Sequence, residues 1–192
     1  MRTLIYTAFI SLDGVVEGPG GGPTEHHRSV GWTFKDMEFR PEAYALKGWE
    51  QQEATAMMLG RASYEAFSPV WPSMQEFADY SVMPKYVVST TLAAEDLVDN
   101  WGETTILRSL DDVAKLKETD GGPIIIHGSA MLARDLSDAA LLDRYHLLVF
   151  PVLLGAGKRM FSDTDKDKQM LALVESESYR NGIQKLVYEV DR

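Results

Sequence analysis

Short apolar runs rich in β-branched residues alternate along this chain with segments whose apolar residues recur at helical spacing. The strongest run is 123–127, and 129–136 follows it at once with helical spacing. Residues 56–60 fit either the end of a helix or a short buried strand. The other predicted strands are 3–11, 85–89, 104–107 and 145–152, and the other predicted helices are 42–56, 61–67 and 110–118.

The last quarter of the chain is rich in strands. Two further runs, 170–177 and 184–190, are separated by the turn Arg180-Asn181-Gly182. Alternating strands and helices followed by a hairpin predict a three-layer α/β fold. We expect a mostly parallel central sheet, helices on both faces and an antiparallel C-terminal hairpin, all within a single domain over 1–192.

One long loop interrupts the pattern. Residues 14–31 contain six glycines and two prolines, and a loop of this length inside a compact domain is usually functional or mobile. His26 and His27 lie in it, but two adjacent histidines without a third ligand nearby do not predict a metal site.

Composition and charge exclude several classes of protein. The chain has no cysteine, which rules out disulfides and thiolate zinc sites and fits a reducing cytoplasm. Its net charge of −10 disfavours general nucleic-acid binding. No run of eighteen apolar residues occurs, and the short N-terminal run lacks a cleavage site. We therefore expect a soluble cytoplasmic protein without a membrane partner.

Three predicted strand-to-helix junctions carry small or hydroxylated residues. They are Gly60-Arg61, then Ser89-Thr90, and then residues 127–131, which read His127-Gly128-Ser129-Ala130-Met131. Ligands of open α/β sheets bind at the carboxyl ends of strands. An arginine beside a helix N-terminus suits a phosphate, and a helix capped by Ser129 offers backbone N–H groups to a pyrophosphate. Ordinary tight turns with a surface arginine have the same local sequence. Neither a G-x-G-x-x-G fingerprint nor a P-loop is present.

These junctions, together with two further blocks, resemble the dihydrofolate reductase-like family. The blocks are Ser11-Leu12-Asp13-Gly14, Met58-Leu59-Gly60-Arg61, Val87-Val88-Ser89, His127-Gly128-Ser129 and residues 150–157. In order and spacing they most resemble the C-terminal reductase domain of the bifunctional riboflavin-biosynthesis deaminase-reductase and its stand-alone relatives. The resemblance covers about residues 3–190. No single block is diagnostic of the family, but the occurrence of all five in this order is fairly specific.

The resemblance implies an NADPH-dependent reductase. It would place Gly60 and Arg61 at the adenosine end of NADPH, Ser89 and Thr90 at the 2′-phosphate, and residues 128–131 at the pyrophosphate. Ser11, Asp13 and Gly155 would border the nicotinamide and a small heterocyclic substrate. Core packing is favoured for the tryptophans, and Trp32 is the best candidate to stack on that substrate instead, because its loop should cover the site. The implied activity resembles 5-amino-6-(5-phosphoribosylamino)uracil reduction.

The chain departs from the family pattern at several positions. His127 replaces the first of two glycines, and Thr90 stands where arginine or asparagine is frequent, which weakens the case for NADPH over NADH. The zinc deaminase signature is absent.

The proton donor has no clear match. Dihydrofolate reductases use a carboxylate on the first helix, where Glu50 and Glu53 are the nearest candidates, although a surface location is favoured for both. Asp13 lies nearer the expected nicotinamide, but an aspartate before glycine is also an ordinary turn residue.

Two expectations concern assembly and the rival function. The apolar strands 145–152 and 186–190 predict a homodimer whose sheet continues across a two-fold axis. His146 is expected to be a satisfied core or interface histidine. The rival function is a non-catalytic nucleotide- or pterin-binding sensor, which the missing helix carboxylate favours and the retained junctions disfavour.

Overall fold

The computed structural model describes residues 1–21, 26–161 and 168–192. Its strands are β1 (Leu4–Ser11), β2 (Ala56–Gly60), β3 (Lys85–Val88), β4 (Thr104–Leu107), β5 (Ile124–His127), β6 (Arg144–Phe150), β7 (Leu171–Ser178) and β8 (Gln184–Val190). They form one sheet in the order β4-β3-β2-β5-β1-β6-β8-β7. The helices are α1 (Ala45–Glu53), α2 (Arg61–Phe67), α3 (Ala78–Val82), α4 (Leu110–Glu118) and α5 (Ala130–Asp138).

The sheet is parallel from β4 to β6, and β8 joins β6 antiparallel. β7 and β8 form the antiparallel C-terminal hairpin. The predicted fold class is therefore confirmed. The predicted route to a dimer is wrong, because β6 lies between β1 and β8, and β8 lies between β6 and β7. A sheet that continued into a second copy would have to use β4 or β7, the two edge strands.

Helices cover both faces of the sheet. One core contains Tyr6, Ile126 and the inner side of α5, which buries Leu132 and Leu136. On the opposite face, alternate residues of the same strands, such as Ile125, pack with side chains from α2 and α3. The side chains on the inner face of α1 cover the carboxyl half of β1 and the strand β6 on that second face. Three layers result, as predicted.

Element boundaries differ from the predicted ones in a few places. Residues 56–60 form a strand, which settles the open alternative. The helix predicted over 42–56 is a 3₁₀ turn, Pro41–Tyr44, followed by α1. α1 ends at Glu53, before the predicted end, because Ala54 adopts an extended conformation. The short helix α3 was not predicted. The long loop 14–31 is present on either side of residues 22–25, which lie outside the described residues. In the part of the chain described, no helix combines the length and apolarity needed to cross a membrane.

Candidate active site

The three strand-to-helix junctions meet at the carboxyl edge of the sheet. They do so because β2 lies between β3 and β5 in the sheet order. The backbone N–H of Gly60 donates to Ser129 Oγ at 2.8 Å, and Arg61 Nη1 donates to Thr91 Oγ1 at 2.8 Å. The first junction is thus bonded to both of the others. The Arg61 side chain is exposed, and it also forms an ion pair with Glu65 at 2.6 Å.

The third junction turns sharply before α5. Gly128 and Ser129 both have a φ of 55°, which is unusual for serine. The N–H of Ser129 donates to Ser63 Oγ at 2.8 Å. The expectation that Ser129 caps α5 is wrong, since its hydroxyl accepts the Gly60 N–H and makes no cap bond. Ala130 and Met131 open the helix, and the side chain of Met131 is exposed.

The second junction is a turn held by two side chains. Ser89 Oγ accepts from the backbone N–H groups of Thr91 and Leu92 at 3.2 and 3.0 Å. Arg108, at the end of β4, donates through Nη1 to the carbonyl oxygens of Ser89 and Leu92 at 2.9 and 2.8 Å. Thr90 is exposed at the tip of the turn. Sequence reasoning missed Arg108, because only the pairing of β3 with β4 brings it to this edge.

The His127 side chain points away from these junctions. Its Nε2 lies 2.8 Å from the Tyr80 hydroxyl, on the sheet face covered by α3, and its ring packs edge-on against Trp71. Burial lowers the pKa of His127 to about 3, so its imidazole is neutral at neutral pH. The imidazole is therefore not placed to bind a ligand at the junctions, and only the backbone of His127 lies there.

Asp13 ties two loops together at the end of β1. Its carboxylate accepts from Ser11 Oγ at 2.7 Å and from the N–H groups of Leu154 and Gly155 at 3.1 and 2.8 Å. The hydrogen bonds from Ser11 and Leu154 hold the pKa of Asp13 far below its usual range. An ionised carboxylate with these partners is a poor proton donor. The structure thus favours the ordinary turn interpretation of Asp13 over the catalytic one.

Glu50 is buried rather than at the surface. Its side chain is 0% exposed and contacts residues of three elements. Oε1 accepts from Thr7 Oγ1 at 2.7 Å and lies 2.9 Å from His146 Nδ1, while Oε2 lies 3.3 Å from Lys47 Nζ. Burial alone would raise the pKa of Glu50, but the Lys47 ammonium and the hydrogen bond from His146 outweigh it and lower the pKa to about 2.

The register of the sheet explains this polar cluster. Thr7 is paired with His127 on β5 and with His146 on β6, so the three side chains form a row across neighbouring strands. Glu50 lies over the Thr7–His146 part of that row. His146 is a buried core histidine, as expected, but it is only half satisfied, because its Nε2 has no hydrogen-bond partner among the described residues. The surface location expected for Glu50 is wrong. Glu53 is exposed, as expected.

Trp32 does not offer an open face to a substrate. It is 6% exposed, its indole N–H donates to the Glu17 carbonyl oxygen at 2.8 Å, and its ring contacts Phe150 edge-on. The expectation that Trp32 stacks on a substrate is therefore wrong in this structure. The loop folds its tryptophan into the core, where the ring buries apolar area.

His27 also has a local role. Its Nε2 lies 2.7 Å from the Ala156 carbonyl oxygen, which joins the glycine-rich loop to the loop after β6. Within residues 1–21, 26–161 and 168–192, no three or more histidine, aspartate or glutamate side chains form a group that could hold a metal ion.

Comparison with known proteins identifies the family. The model of the RibD C-terminal domain matches residues 2–185. Two curated relatives come from Bacillus subtilis (strain 168). Uncharacterized protein YyaP is 25% identical, with 97% of this chain and 94% of that protein covered. Uncharacterized protein YwjB is 27% identical, with coverage of 88% and 87%.

Solved structures share the fold at low sequence identity. A putative riboflavin biosynthesis protein from Shewanella sp. PV-4 has a TM-score of 0.77 at 17% identity, with 99% of both chains covered. A pyrimidine reductase-like protein from Corynebacterium diphtheriae has a TM-score of 0.64 at 14% identity, with 99% of this chain and 92% of that chain covered. RibD from Acinetobacter baumannii has a TM-score of 0.65 at 14% identity, and the match covers all of this chain and 58% of that longer one.

Proposed function

The chain belongs to the RibD C-terminal domain family, and on this premise we propose that it is a reductase that uses NADPH to reduce a small pteridine- or pyrimidine-like heterocycle. Two structural neighbours, a putative riboflavin biosynthesis protein and a pyrimidine reductase-like protein, support this substrate class by their names. The specific activity that we propose first is the reduction of 5-amino-6-(5-phosphoribosylamino)uracil. Another pterin, another pyrimidine or a foreign carbonyl compound are the alternatives within the same chemistry.

The observation that carries the proposal is the joining of the three junctions at one edge. An acidic protein needs local donors to bind an anionic cofactor. Arg61 and Arg108 supply two guanidinium groups on either side of the turn that contains Ser89 and Thr91. Guanidinium and hydroxyl groups suit a phosphate. Arg108 bonds to Ser89, the neighbour of Thr90, and so supplies a positive charge beside the position where the family frequently has arginine.

The third junction suits the pyrophosphate. α5 begins at Ala130, and the N–H groups of its first turn face the same edge as the Gly60–Ser129 bond. A Cβ at Gly128 would lie 3.1 Å from Ser63 Oγ, at a φ of 55° that favours glycine. The residues present therefore fit a dinucleotide. The bound cofactor would supply the hydride, while the protein supplies orientation and charge.

The sensor remains the second candidate function. The observation that favours it is the enclosure of Glu50, because the carboxylate on the first helix is ionised and cannot reach a ligand directly. A sensor on this fold would bind NADPH or a pterin and would not oxidise or reduce either.

Calorimetric titration tests the cofactor. We expect micromolar binding of NADPH, weaker binding of NADH, and at least a tenfold loss of NADPH affinity in Arg61→Ala, about 1.4 kcal/mol. Arg180→Ala, an exposed arginine in the turn between β7 and β8, is the matched control and should bind as wild type does. If neither nucleotide binds to wild type, the reductase proposal is wrong.

A turnover assay then separates the reductase from the sensor. NADPH oxidation is followed by absorbance with 5-amino-6-(5-phosphoribosylamino)uracil, 7,8-dihydrofolate and 7,8-dihydrobiopterin. Oxidation with one of them supports the enzyme, whereas tight binding of NADPH without turnover supports the sensor.

Two further expectations belong to the same proposal. A homodimer and a cytoplasmic location remain predictions. Sedimentation of a monomer at micromolar concentration would contradict the first, and fractionation of cells would check the second.

A further inference from the structure

We propose that Lys47, held by Glu50 and Thr7, donates the proton in the reduction and replaces the helix carboxylate that dihydrofolate reductases use. This inference rests on the proposed reductase function. It assigns the proton to a residue that no motif in the sequence singled out. Glu50 is then a positioning residue that acts through Lys47.

The first step of the argument is that Glu50 cannot donate a proton itself. Its side chain is 0% exposed, and its oxygens are already used by Thr7, His146 and Lys47. A carboxylate that accepts three such partners is ionised and has no surface toward a ligand. The one buried carboxylate on the inner face of α1 is therefore an enclosed anion, not a proton donor.

The second step is the position of Lys47 between that anion and the open edge. α1 ends at Glu53, and only two residues separate it from the start of β2 at the amino edge of the sheet, so α1 runs opposite to the parallel strands. Lys47, three residues earlier than Glu50, therefore lies nearer the carboxyl edge. Its Nζ is 5.1 Å from the centre of the Phe9 ring, and Phe9 lies two residues beyond Thr7 in the same direction.

The third step concerns access and the supply of protons. The Lys47 side chain is 18% exposed, whereas that of Glu50 is fully enclosed. The ammonium donates to Thr7 Oγ1 and faces both oxygens of Glu50. An ammonium has three N–H groups. One bonds to Thr7 Oγ1, and a second is shared between the two oxygens of Glu50, which lie 3.5 and 3.3 Å away. The third is then available to a ligand at the edge. Partial exposure allows the amine to regain a proton from water.

Charged and titratable groups from several elements surround this ammonium. Glu50 faces it from α1 and His127 from β5, while His146 on β6 and Tyr80 on α3 interact with Glu50. Burial lowers the pKa of Lys47, and Glu50 offsets part of that shift. A lysine with a lowered pKa is a better acid at neutral pH than an exposed one.

The chemical step balances as follows. A bound nicotinamide cofactor would supply a hydride to the carbon of the substrate C=N bond, whose π electron pair moves to the nitrogen. That nitrogen forms a bond to the proton of a Lys47 N–H group, which breaks and leaves a neutral amine. The products are the reduced C–N bond and oxidised nicotinamide, and solvent returns the proton to Lys47.

The experiment measures single-turnover hydride transfer from NADPH to the most active heterocycle of the three named above, from pH 6 to 10. We expect at least a hundredfold lower rate in Lys47→Met, in line with general acid catalysis, and NADPH affinity within threefold of wild type. Lys115→Met, an exposed lysine of α4, is the matched control. Far-UV circular dichroism checks that the variants fold.

The pH profile distinguishes donation from a merely structural role. The wild-type rate should fall at high pH as Lys47 loses its proton. Glu50→Gln should move that fall to lower pH, because removing the anion makes the ammonium more acidic. Lys47→Arg should abolish the fall, since a guanidinium does not titrate in this range.

The outcomes separate the two proposals. If wild type transfers hydride and Lys47→Met does so within tenfold, or if the pH profile of Glu50→Gln is unchanged, Lys47 is not the donor and the reductase proposal stands. If wild type transfers hydride to none of the three heterocycles, the reductase proposal fails and the role of Lys47 falls with it.

Discussion

The backbone N–H of Gly60 and the hydroxyl of Ser129 are 2.8 Å apart, although the two residues belong to different strand-to-helix junctions. The bond joins the end of β2 to the start of α5 across the edge where the proposed cofactor would lie. A serine with a φ of 55° is uncommon, and its hydroxyl stabilises a conformation that would otherwise be costly.

Removing that hydroxyl should weaken both the fold and the cofactor site. We expect Ser129→Ala to lower the free energy of unfolding by about 1 kcal/mol, because the Gly60 N–H loses its acceptor. NADPH affinity should fall several-fold as the edge loosens. Denaturant unfolding and calorimetry measure the two effects. Ser176→Ala, at an exposed position of β7, is the control, and equal behaviour of the two variants would contradict the prediction.

Substitution of two glycines in the loop after β6 should distinguish the cost of backbone strain from that of a steric clash. Gly155 has a φ of 75°, and a Cβ there would meet no atom of the described residues within 4 Å. Gly157 has a φ of 138°, and its Cβ would lie 2.5 Å from Val15 Cγ1. Gly155→Ala should lower the unfolding free energy by about 1 kcal/mol, and Gly157→Ala should lower it by more. Thermal unfolding measures both, and equal losses would show that Val15 moves aside without cost.

A pair of lysines on α4 tests the value of a buried ion pair. Lys117 is 5% exposed, donates to the Leu141 carbonyl oxygen at 2.8 Å and pairs with Asp143, which also accepts the Leu4 N–H. Lys117→Met should lower the unfolding free energy by about 2–3 kcal/mol, because the Asp143 carboxylate loses its buried ion-pair partner and keeps the Leu4 N–H and the more exposed Arg192.

Lys115→Met is the control on the same helix. Lys115 is 77% exposed and lies 3.7 Å from Asp112, so its removal should change stability by less than about 0.5 kcal/mol. A Lys117→Met variant as stable as Lys115→Met would contradict the assignment.

The burial of Lys85 should make the free energy of unfolding rise with pH in the alkaline range. It is fully buried, and its ammonium donates to the carbonyl oxygens of Met83 and Ser81 and lies 4.8 Å from the centre of the Trp101 ring. Burial lowers the pKa of Lys85 from 10.5 to about 8. Between these two values the unfolded chain binds more protons than the folded one, so the unfolding free energy should rise with pH.

The comparison with Lys85→Met isolates this group from the other titrating residues. The wild-type free energy minus that of the variant should increase between pH 8 and 10.5, by at most about 1.4 kcal/mol per pH unit. Below pH 8 the difference should be flat. A difference that falls across this window would show that the pKa of Lys85 is not lowered.

Local pattern predicted the fold well because most strands are continuous apolar runs. Ile124, Ile125 and Ile126 face alternate cores, so the run around them could only be a central strand. The 3₁₀ turns and α3 were missed since they are short and depend on tertiary contacts. The strand order was also beyond local pattern, and this made the predicted dimer surface wrong.

The site was predicted in part. The junctions carry local signals, such as Gly60 and Gly128, whereas the polar cluster around Glu50 depends on register between distant strands. One signal was available: Glu50 lies four residues after buried Leu46, on the apolar face of α1. A glutamate at such a position, with apolar strands that contain Thr7 and His146, indicates a buried network rather than a surface charge.

The protein's own hydrogen bonds, among Gly60, Ser63 and Ser129 and between Arg108 and the 89–92 turn, fix the positions of the groups at this edge. Groups held in this way do not have to be ordered by the ligand that binds to them. The entropic penalty of association is then small for the protein and falls mainly on the ligand. Adenine nucleotides too short to reach the substrate end should therefore retain much of the affinity of the whole dinucleotide.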